Sequence, residues 1–148
     1  MSTEIRFEDG KLYVTRQYDA APQDVFDAWV ETSKIEKWWG CAQTTAVESE
    51  IEPKLGGKFN HMMTIEGAGQ FPQQSCFTEF DPPNRLVYLT QATDMSPEMT
   101  VSVDFEPVQS GTKVTLVHEG IPGEFTEFVR GGWTAAFGKL DDLLSAGV

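Results

Sequence analysis

The last stretch of the chain, Gly123 to Ala146, repeats apolar residues at steps of three and four. Other positions are taken by Glu124, Glu127, Arg130, Lys139, Asp141 and Asp142. This spacing is typical of a helix with one apolar face. The apolar positions are Phe125, Phe128, Val129, Gly132, Trp133, Ala136, Phe137, Leu140, Leu143 and Leu144. The pattern predicts one long amphipathic helix that lies on the rest of the chain.

A different pattern, strand-length segments between turn residues, covers residues 44–119. The turn residues include Gly56-Gly57 and Met95-Ser96-Pro97. The predicted strands are 44–52, 58–65, 73–80, 85–91, 98–105 and 112–119. Because the connections are short, we expect neighbouring strands to run antiparallel.

The N-terminal part adds one strand and two short helices. Residues 11–18 alternate and predict the strand, and Pro22 opens a helix because proline suits the first helical turn. Ser33 and Glu36 fit a capping box for a second helix, which would end at Gly40. The order β-α-α-β₆-α predicts an α+β fold in which a curved antiparallel sheet wraps around the long C-terminal helix. We expect the 148 residues to form a single domain.

Composition narrows the classes of function. The chain has 11 Lys+Arg against 23 Asp+Glu, and its net charge of −12 repels nucleic acid and anionic membranes. No apolar run approaches the roughly 20 residues of a membrane-spanning helix. The two cysteines lack metal-ligand spacing and the N-terminal sequence lacks an apolar signal segment. We therefore expect a soluble, reduced, cytoplasmic protein without membrane insertion.

Five segments form a recognisable set, and they follow one another in a characteristic order. They are Ala21-Pro22-Gln23-Asp24-Val25-Phe26-Asp27-Ala28-Trp29, Lys37-Trp38-Trp39-Gly40, Leu55-Gly56-Gly57-Lys58-Phe59, Phe80-Asp81-Pro82-Pro83-Asn84-Arg85-Leu86-Val87-Tyr88 and Gly131-Gly132-Trp133. This set resembles the AHSA1-like branch of the START/Bet v 1 (SRPBCC) superfamily. The resemblance implies a helix-grip architecture with a cavity between the sheet and the C-terminal helix.

The resemblance leaves the function open, since the superfamily includes lipid and hormone carriers, aromatase/cyclases, hydrolytic enzymes and the C-terminal domain of the Hsp90 ATPase activator. The chain also departs from the family pattern at one place. Asn60, His61 and Thr64 stand in the region where the family often has an arginine.

Both histidines of the chain fall on predicted inward faces of strands. His61 alternates with Phe59 and Met63, and His118 lies on the inward face of the last strand. Each could be a buried core residue or could orient a polar group of a ligand. Together with a carboxylate such as Glu50, the two histidines could hold a metal ion. The sequence has no residue spacing typical of a metal site, so no metal ligand is predicted.

Aromatic residues are numerous, with 4 Trp, 10 Phe and 3 Tyr. They could simply pack the sheet on the helix, or they could line a cavity for a small hydrophobic or aromatic molecule. We predict the second. The predicted lining residues are Trp38, Trp39, Phe59, His61, Met63, Phe77, Tyr88, Met99, Val101, His118, Trp133 and Phe137.

The leading hypothesis is therefore a carrier or sensor that binds a small hydrophobic molecule. An enzyme of the cyclase, dehydratase or hydrolase type would use His61 or His118 as general acid or base and Tyr88 as proton donor. No nucleophile motif is present, so no catalytic residue is assigned. A third hypothesis is an Hsp90-activator-like interaction domain, although the chain has no room for that protein's separate N-terminal domain. No cofactor is predicted, and an exposed sheet edge could pair two copies into a homodimer.

Overall fold

The computed structural model describes residues 3–94 and 97–145, which form nine strands and three α-helices. The strands are β1 (Glu4–Glu8), β2 (Lys11–Tyr18), β3 (Thr44–Ile51), β4 (Phe59–Ile65), β5 (Gly69–Gln73), β6 (Ser75–Asp81), β7 (Arg85–Thr90), β8 (Met99–Val108) and β9 (Gly111–Glu119). The helices are α1 (Pro22–Val30), α2 (Thr32–Ile35) and α3 (Thr126–Ser145), and a 3₁₀ turn at Gly123–Phe125 leads into α3. Met95 and Ser96 of one predicted turn, and Ala146 at the predicted end of the long helix, lie outside the described residues.

The strands form two antiparallel sheets. The larger has the order β1-β2-β9-β8-β7-β6 and the smaller the order β3-β4-β5. The loop between β3 and β4 joins the two sheets, because Gly56 N donates to Phe77 O at 2.9 Å and Phe77 N donates to Gly57 O at 3.0 Å. The small sheet therefore extends the large one past β6.

Helix α3 lies on β2 and is fixed there by two side-chain contacts. The Tyr18 hydroxyl donates to the backbone oxygen of Phe137 at 3.1 Å inside the protein. Arg16 forms an ion pair with Asp141 at 3.1 Å. A curved antiparallel sheet that holds a long C-terminal helix confirms the predicted α+β, helix-grip fold.

Two strands were not predicted. β1 pairs with β2 through the two-residue turn Asp9-Gly10, in which both residues have positive φ, 53° and 77°. Such an Asp-Gly turn is a strong hairpin signal in the sequence. β5 is short and contains Pro72, a residue that strand patterns normally exclude from sheet interiors.

The predicted capping box is wrong. Helix α2 begins after Glu31, and no side chain caps its N-terminus. Glu36 instead accepts a hydrogen bond from the backbone N of Ser49 in β3, at 2.8 Å. The predicted end at Gly40 is also wrong, because α2 ends at Ile35 and residues 36–38 form a turn. Gly40 has a φ of 95°, a conformation that favours glycine, but it lies in the connection to β3 and does not end the helix.

The apolar face of α3 is buried over a shorter length than predicted. Trp133, Ala136, Phe137, Leu140 and Leu143 are the buried residues of this helix. Phe125, in the preceding turn, is 37% exposed and Phe128 is 67% exposed. The N-terminal end of the predicted stripe therefore faces solvent.

Candidate functional site

Aromatic rings fill the space between α1, α3 and the two sheets. We use the name ring cluster for eight residues that are at most 8% exposed and whose ring centroids lie 4.2–6.4 Å from those of their neighbours: Trp29, Trp38, Trp39, Phe59, His61, Tyr88, Trp133 and Phe137. The buried rings of Tyr18, Phe77, Phe105 and His118 adjoin these eight but are not counted among them. Edge-to-face geometry dominates, as the charge distribution of aromatic rings favours. The cluster brings α1, α3, β4, β7 and the turn after α2 into contact.

Trp39 lies at the centre of the ring cluster. Its indole stacks on the His61 imidazole with centroids 4.2 Å apart and planes 29° apart. The rings of Phe59 and Trp133 meet it edge to face at 5.6 and 5.7 Å. Its Nε1 donates to Gln73 Oε1 at 3.0 Å. Three ring contacts and one side-chain hydrogen bond thus fix the position of the Trp39 indole.

His61 has one satisfied ring nitrogen and one that is not. Its Nδ1 lies 2.8 Å from Ser49 Oγ, and Ser49, His61 and Gln73 are direct cross-strand neighbours in β3, β4 and β5. Its Nε2 is buried and has no hydrogen-bond partner in residues 3–94 and 97–145. Burial lowers the pKa of His61 to about 3, so the imidazole is neutral at neutral pH.

His118 is fully engaged by its neighbours. Its Nδ1 accepts a hydrogen bond from Trp133 Nε1 at 3.0 Å, so Nε2 carries the hydrogen. Nε2 lies 3.3 Å from Met99 Sδ. Burial lowers the pKa of His118 to about 4. The side chain therefore acts as a neutral link between β9, β8 and α3.

The other two tryptophans differ in their polar contacts. Trp38 Nε1 donates to the backbone oxygen of Ala28 in α1 at 2.9 Å. Trp29 Nε1 is buried without a partner among the described residues, although Trp29 stacks on Trp133 with planes 27° apart. Two polar atoms of the ring cluster, on Trp29 and His61, are thus unpaired.

Lys139 connects α3 to the turn that carries Trp39. Its Nζ donates to the backbone oxygens of Trp39 and Cys41, each at 3.2 Å. Burial lowers the pKa of this lysine. The ammonium group therefore fixes the backbone of the turn from the side of the helix.

The pKa directions bear on acid-base chemistry at this site. Burial holds His61 and His118 neutral, and burial raises the pKa of the Tyr88 phenol well above its ordinary value. None of these three groups changes protonation near neutral pH while its side chain is buried. This arrangement works against general acid-base catalysis by the candidate residues.

The structure brings most of the predicted lining residues together. Seven of the twelve belong to the ring cluster, and His118 contacts it through Trp133. Phe77 packs on Phe59 with centroids 5.0 Å apart, and Val101 lies opposite His118 and Tyr88 in the sheet. Met63 and Met99 are half-buried at its margin. That these residues line a binding site stays a prediction.

A depression of about 390 Å³ lies elsewhere, at the C-terminal end of α3. It is lined by Asp19, Asp141, Leu144 and Ser145, none of which belongs to the ring cluster. In the cluster itself the rings are in contact, so a bound molecule would have to take the place of a side chain.

Sequence analysis missed four residues that shape the site: Trp29, Ser49, Gln73 and Lys139. Gln73 was assigned to the wrong strand because β5 was not predicted. Ser49 could have been found from the alternation of β3, since it faces His61 across the sheet. No pattern in the sequence indicates that Lys139 bonds to carbonyls of the turn after α2.

The described residues contain neither a candidate metal cluster nor a candidate membrane-spanning helix. No three His, Cys, Asp or Glu side chains in the described part of the chain are grouped so that they could hold a metal ion. Within the same residues, no helix is both long enough and apolar enough to span a membrane.

A curved antiparallel sheet around a long C-terminal helix, with an aromatic interior between them, defines a helix-grip protein. The model of the family described as Activator of Hsp90 ATPase homolog 1-like protein matches residues 19–145. The chain belongs to this AHSA1-like family, as the five sequence segments indicated.

Several solved structures share the fold. A protein from Rhodobacter sphaeroides has a TM-score of 0.86 at 20% identity, and the match covers 99% of each chain. Protein Ms6760 from Mycobacterium smegmatis has a TM-score of 0.84 at 19% identity over 100% of each chain. CalU16 from Micromonospora echinospora has a TM-score of 0.71 at 20% identity, covering 98% of this chain and 87% of CalU16. No curated protein matches the chain.

Proposed function

We propose that the protein is a carrier or sensor that binds a small hydrophobic or aromatic molecule in the ring cluster. The observation that supports this function is the unpaired Nε2 of His61, which is buried among aromatic rings. A buried polar atom without a partner costs about 1–3 kcal/mol, and folded proteins contain few of them. A polar group on a bound molecule would satisfy this nitrogen.

The chemistry of His61 limits the ligand. A neutral imidazole offers either one N–H or one lone pair at Nε2, depending on which way the hydrogen bond to Ser49 runs. The net charge of −12 disfavours an anionic ligand. The ligand is therefore largely apolar, with one neutral polar group such as a hydroxyl, an amide or a ring nitrogen.

Native mass spectrometry of the protein as purified from cells tests this function. We expect a small additional mass that is lost when the same sample is denatured. His61→Phe keeps a ring at this position but removes Nε2, and it should lower the bound fraction at least fivefold. Ser49→Ala is the matched control, since it removes only the hydroxyl next to Nδ1 and should retain more of the ligand.

The folded state of His61→Phe must be checked in the same samples. We expect its free energy of unfolding to stay within about 1 kcal/mol of the native value, because the substitution removes an unpaired buried nitrogen but also the hydrogen bond to Ser49. A bare protein mass, together with no saturable binding across a panel of neutral aromatic compounds, would contradict the proposed function.

A protein-interaction function is the second candidate, and the exposure of Phe125 and Phe128 favours it. Neighbouring apolar side chains that form a patch at a surface mark contacts with other proteins, and Phe125 and Phe128 are three residues apart. The family description names an activator of the Hsp90 ATPase. A coupled ATPase assay with Hsp90 tests this candidate: stimulation that Phe128→Ser abolishes would support it, and the lack of any stimulation would remove it.

A further inference from the structure

The turn that carries Trp39 lies at the surface, although its two tryptophans point inward. We call residues 36–43 the Trp39 turn; it joins α2 to β3. Glu36, Lys37, Ala42 and Gln43 are exposed, whereas Trp38 and Trp39 are buried. The buried Trp39 is therefore only two residues along the chain from the exposed Lys37. Displacement of this side chain would require no change in any strand or helix, because residues 36–43 belong to neither.

Trp38 and Trp39 are anchored in different ways. The Trp38 indole donates to a backbone oxygen of α1, at Ala28, and that acceptor is fixed by the helix. The Trp39 indole donates to the side-chain amide of Gln73, which is half-buried on β5. A side-chain amide can accept the same hydrogen bond from another molecule. Of these two neighbouring tryptophans, Trp39 is the one that can be exchanged.

The backbone of the Trp39 turn is held independently of the indole. Lys139 Nζ bonds to the Trp39 and Cys41 carbonyls, and Glu36 accepts a hydrogen bond from Ser49 N. These contacts remain when the indole rotates away. The turn would thus keep its place while the side chain exchanges.

The surroundings of the indole describe what could replace it. On one side lies the flat face of His61, 4.2 Å away, with its unpaired Nε2. The rings of Phe59 and Trp133 contact the indole edge to face, and Gln73 Oε1 accepts the hydrogen bond from its N–H. The space fits a planar ring system of about the size of indole with one N–H at its rim.

We infer that Trp39 occupies the ligand position itself, and that the ligand is a neutral planar aromatic molecule with a ring N–H that displaces the indole and donates to Gln73 Oε1. This inference rests on the proposed function and adds to it the class of ligand and the side chain that the ligand displaces. A substituent on the ligand ring, which indole as a probe lacks, would supply the polar group for Nε2 of His61. In the absence of ligand, Trp39 keeps the site filled. Closure of the site by Trp39 lowers the apparent affinity of the native protein for such a molecule, because part of the binding free energy displaces the indole.

Indole is the probe, and 1-benzothiophene, which has the same shape but no N–H, is its matched analogue. We expect Trp39→Ala to bind indole at least tenfold more tightly than the native protein, and to prefer indole to 1-benzothiophene. Gln73→Leu in the Trp39→Ala background should abolish that preference. Trp38→Ala is the control, because it removes a side chain of the same size at a neighbouring position. Equal affinity for indole in Trp38→Ala and Trp39→Ala would overturn the inference.

A second measurement is made on the native chain, and substitutions serve only to assign its resonances. With 5-fluorotryptophan incorporated, Trp38→Phe and Trp39→Phe assign two of the four fluorine resonances. Millimolar indole should move the Trp39 resonance to a position sensitive to exchange of H₂O for D₂O, and leave the Trp38 resonance in place. Saturable indole binding with an unmoved Trp39 resonance, or no spectral change at all, would overturn the inference. The proposed function is judged separately, by the mass measured without indole.

Discussion

The indole nitrogen of Trp133 donates a hydrogen bond to Nδ1 of His118 at 3.0 Å, and this bond joins α3 to β9. Both side chains are 8% exposed. The direction of the bond fixes the tautomer, with the hydrogen of His118 on Nε2 beside Met99. In this chain, the buried ring of His118 therefore acts as a hydrogen-bond acceptor for Trp133 of the C-terminal helix.

Trp133→Phe should therefore lower the free energy of unfolding by about 2 kcal/mol, because Nδ1 of His118 loses its donor while it stays buried. Urea unfolding measures the loss. His118→Phe and the double variant complete a thermodynamic cycle, in which we expect a coupling of about 1–2 kcal/mol. Losses that add within about 0.3 kcal/mol would show that the hydrogen bond contributes nothing specific.

Stability should fall on mild acidification. The pKa values of His61 and His118 in the folded protein are about 3 and about 4, below the ordinary value of 6.5 that they regain on unfolding. Unfolded molecules thus bind protons first, and stability declines as the pH falls from about 6.5 towards 4. Between pH 7 and pH 5 each histidine accounts for a loss of about 2 kcal/mol.

Unfolding by urea at a series of pH values measures this decline. His61→Phe should remove about half of the change between pH 7 and pH 5 that the two histidines cause. The same pH profile in the native protein and in His61→Phe would mean that His61 is protonated or solvated in the folded state.

Lys139→Met should loosen the Trp39 turn locally. The substitution removes two charge-assisted hydrogen bonds to the carbonyls of Trp39 and Cys41, while methionine keeps the helical propensity and much of the apolar stem. We expect hydrogen exchange at residues 36–43 to become about tenfold faster, with a smaller change in global stability. Lys37→Met, an exposed lysine on the same turn, is the control and should leave this exchange rate nearly unchanged.

Phe128 and Phe137 lie on the same helix but differ fully in burial, at 67% and 0% exposed. Phe128→Ala should change the free energy of unfolding by no more than about 0.5 kcal/mol, as surface substitutions usually do. Phe137→Ala should lower it by about 3–5 kcal/mol because it leaves a cavity next to Trp29 and Trp133. Thermal unfolding distinguishes the two, and similar losses would mean that the first turns of α3 are also packed.

The sequence predicted the fold well where the periodicity was long or the turn residues were clear. The long helix, the six strands after residue 44 and the strand at 11–18 were found because each has many residues on one face. β1 and β5 have only five residues each, so their alternation carried too little signal. The predicted capping box of α2 was wrong because the helix begins at Thr32, before Ser33, and Glu36 bonds to the backbone of Ser49, which is distant in sequence.

The site was predictable by residue type but not by contact. Alternation placed His61 and His118 inside, and both are buried. Alternation could not distinguish the satisfied imidazole from the one with an unpaired nitrogen, since the difference depends on Trp133 from α3 and Ser49 from β3. Alternation also could not show that the Trp39 indole packs between His61, Phe59 and Trp133, because its position depends on the backbone path of the Trp39 turn.

The ring cluster also has a consequence for how this fold diverges. Contacts between rings depend mainly on shape and size, whereas a hydrogen-bonded network requires each partner to be kept. An interior made of rings can therefore exchange one aromatic residue for another over evolutionary time without losing its architecture. The protein from Rhodobacter sphaeroides shares the fold with a TM-score of 0.86 at 20% identity, so about four of every five side chains can differ while the scaffold is retained.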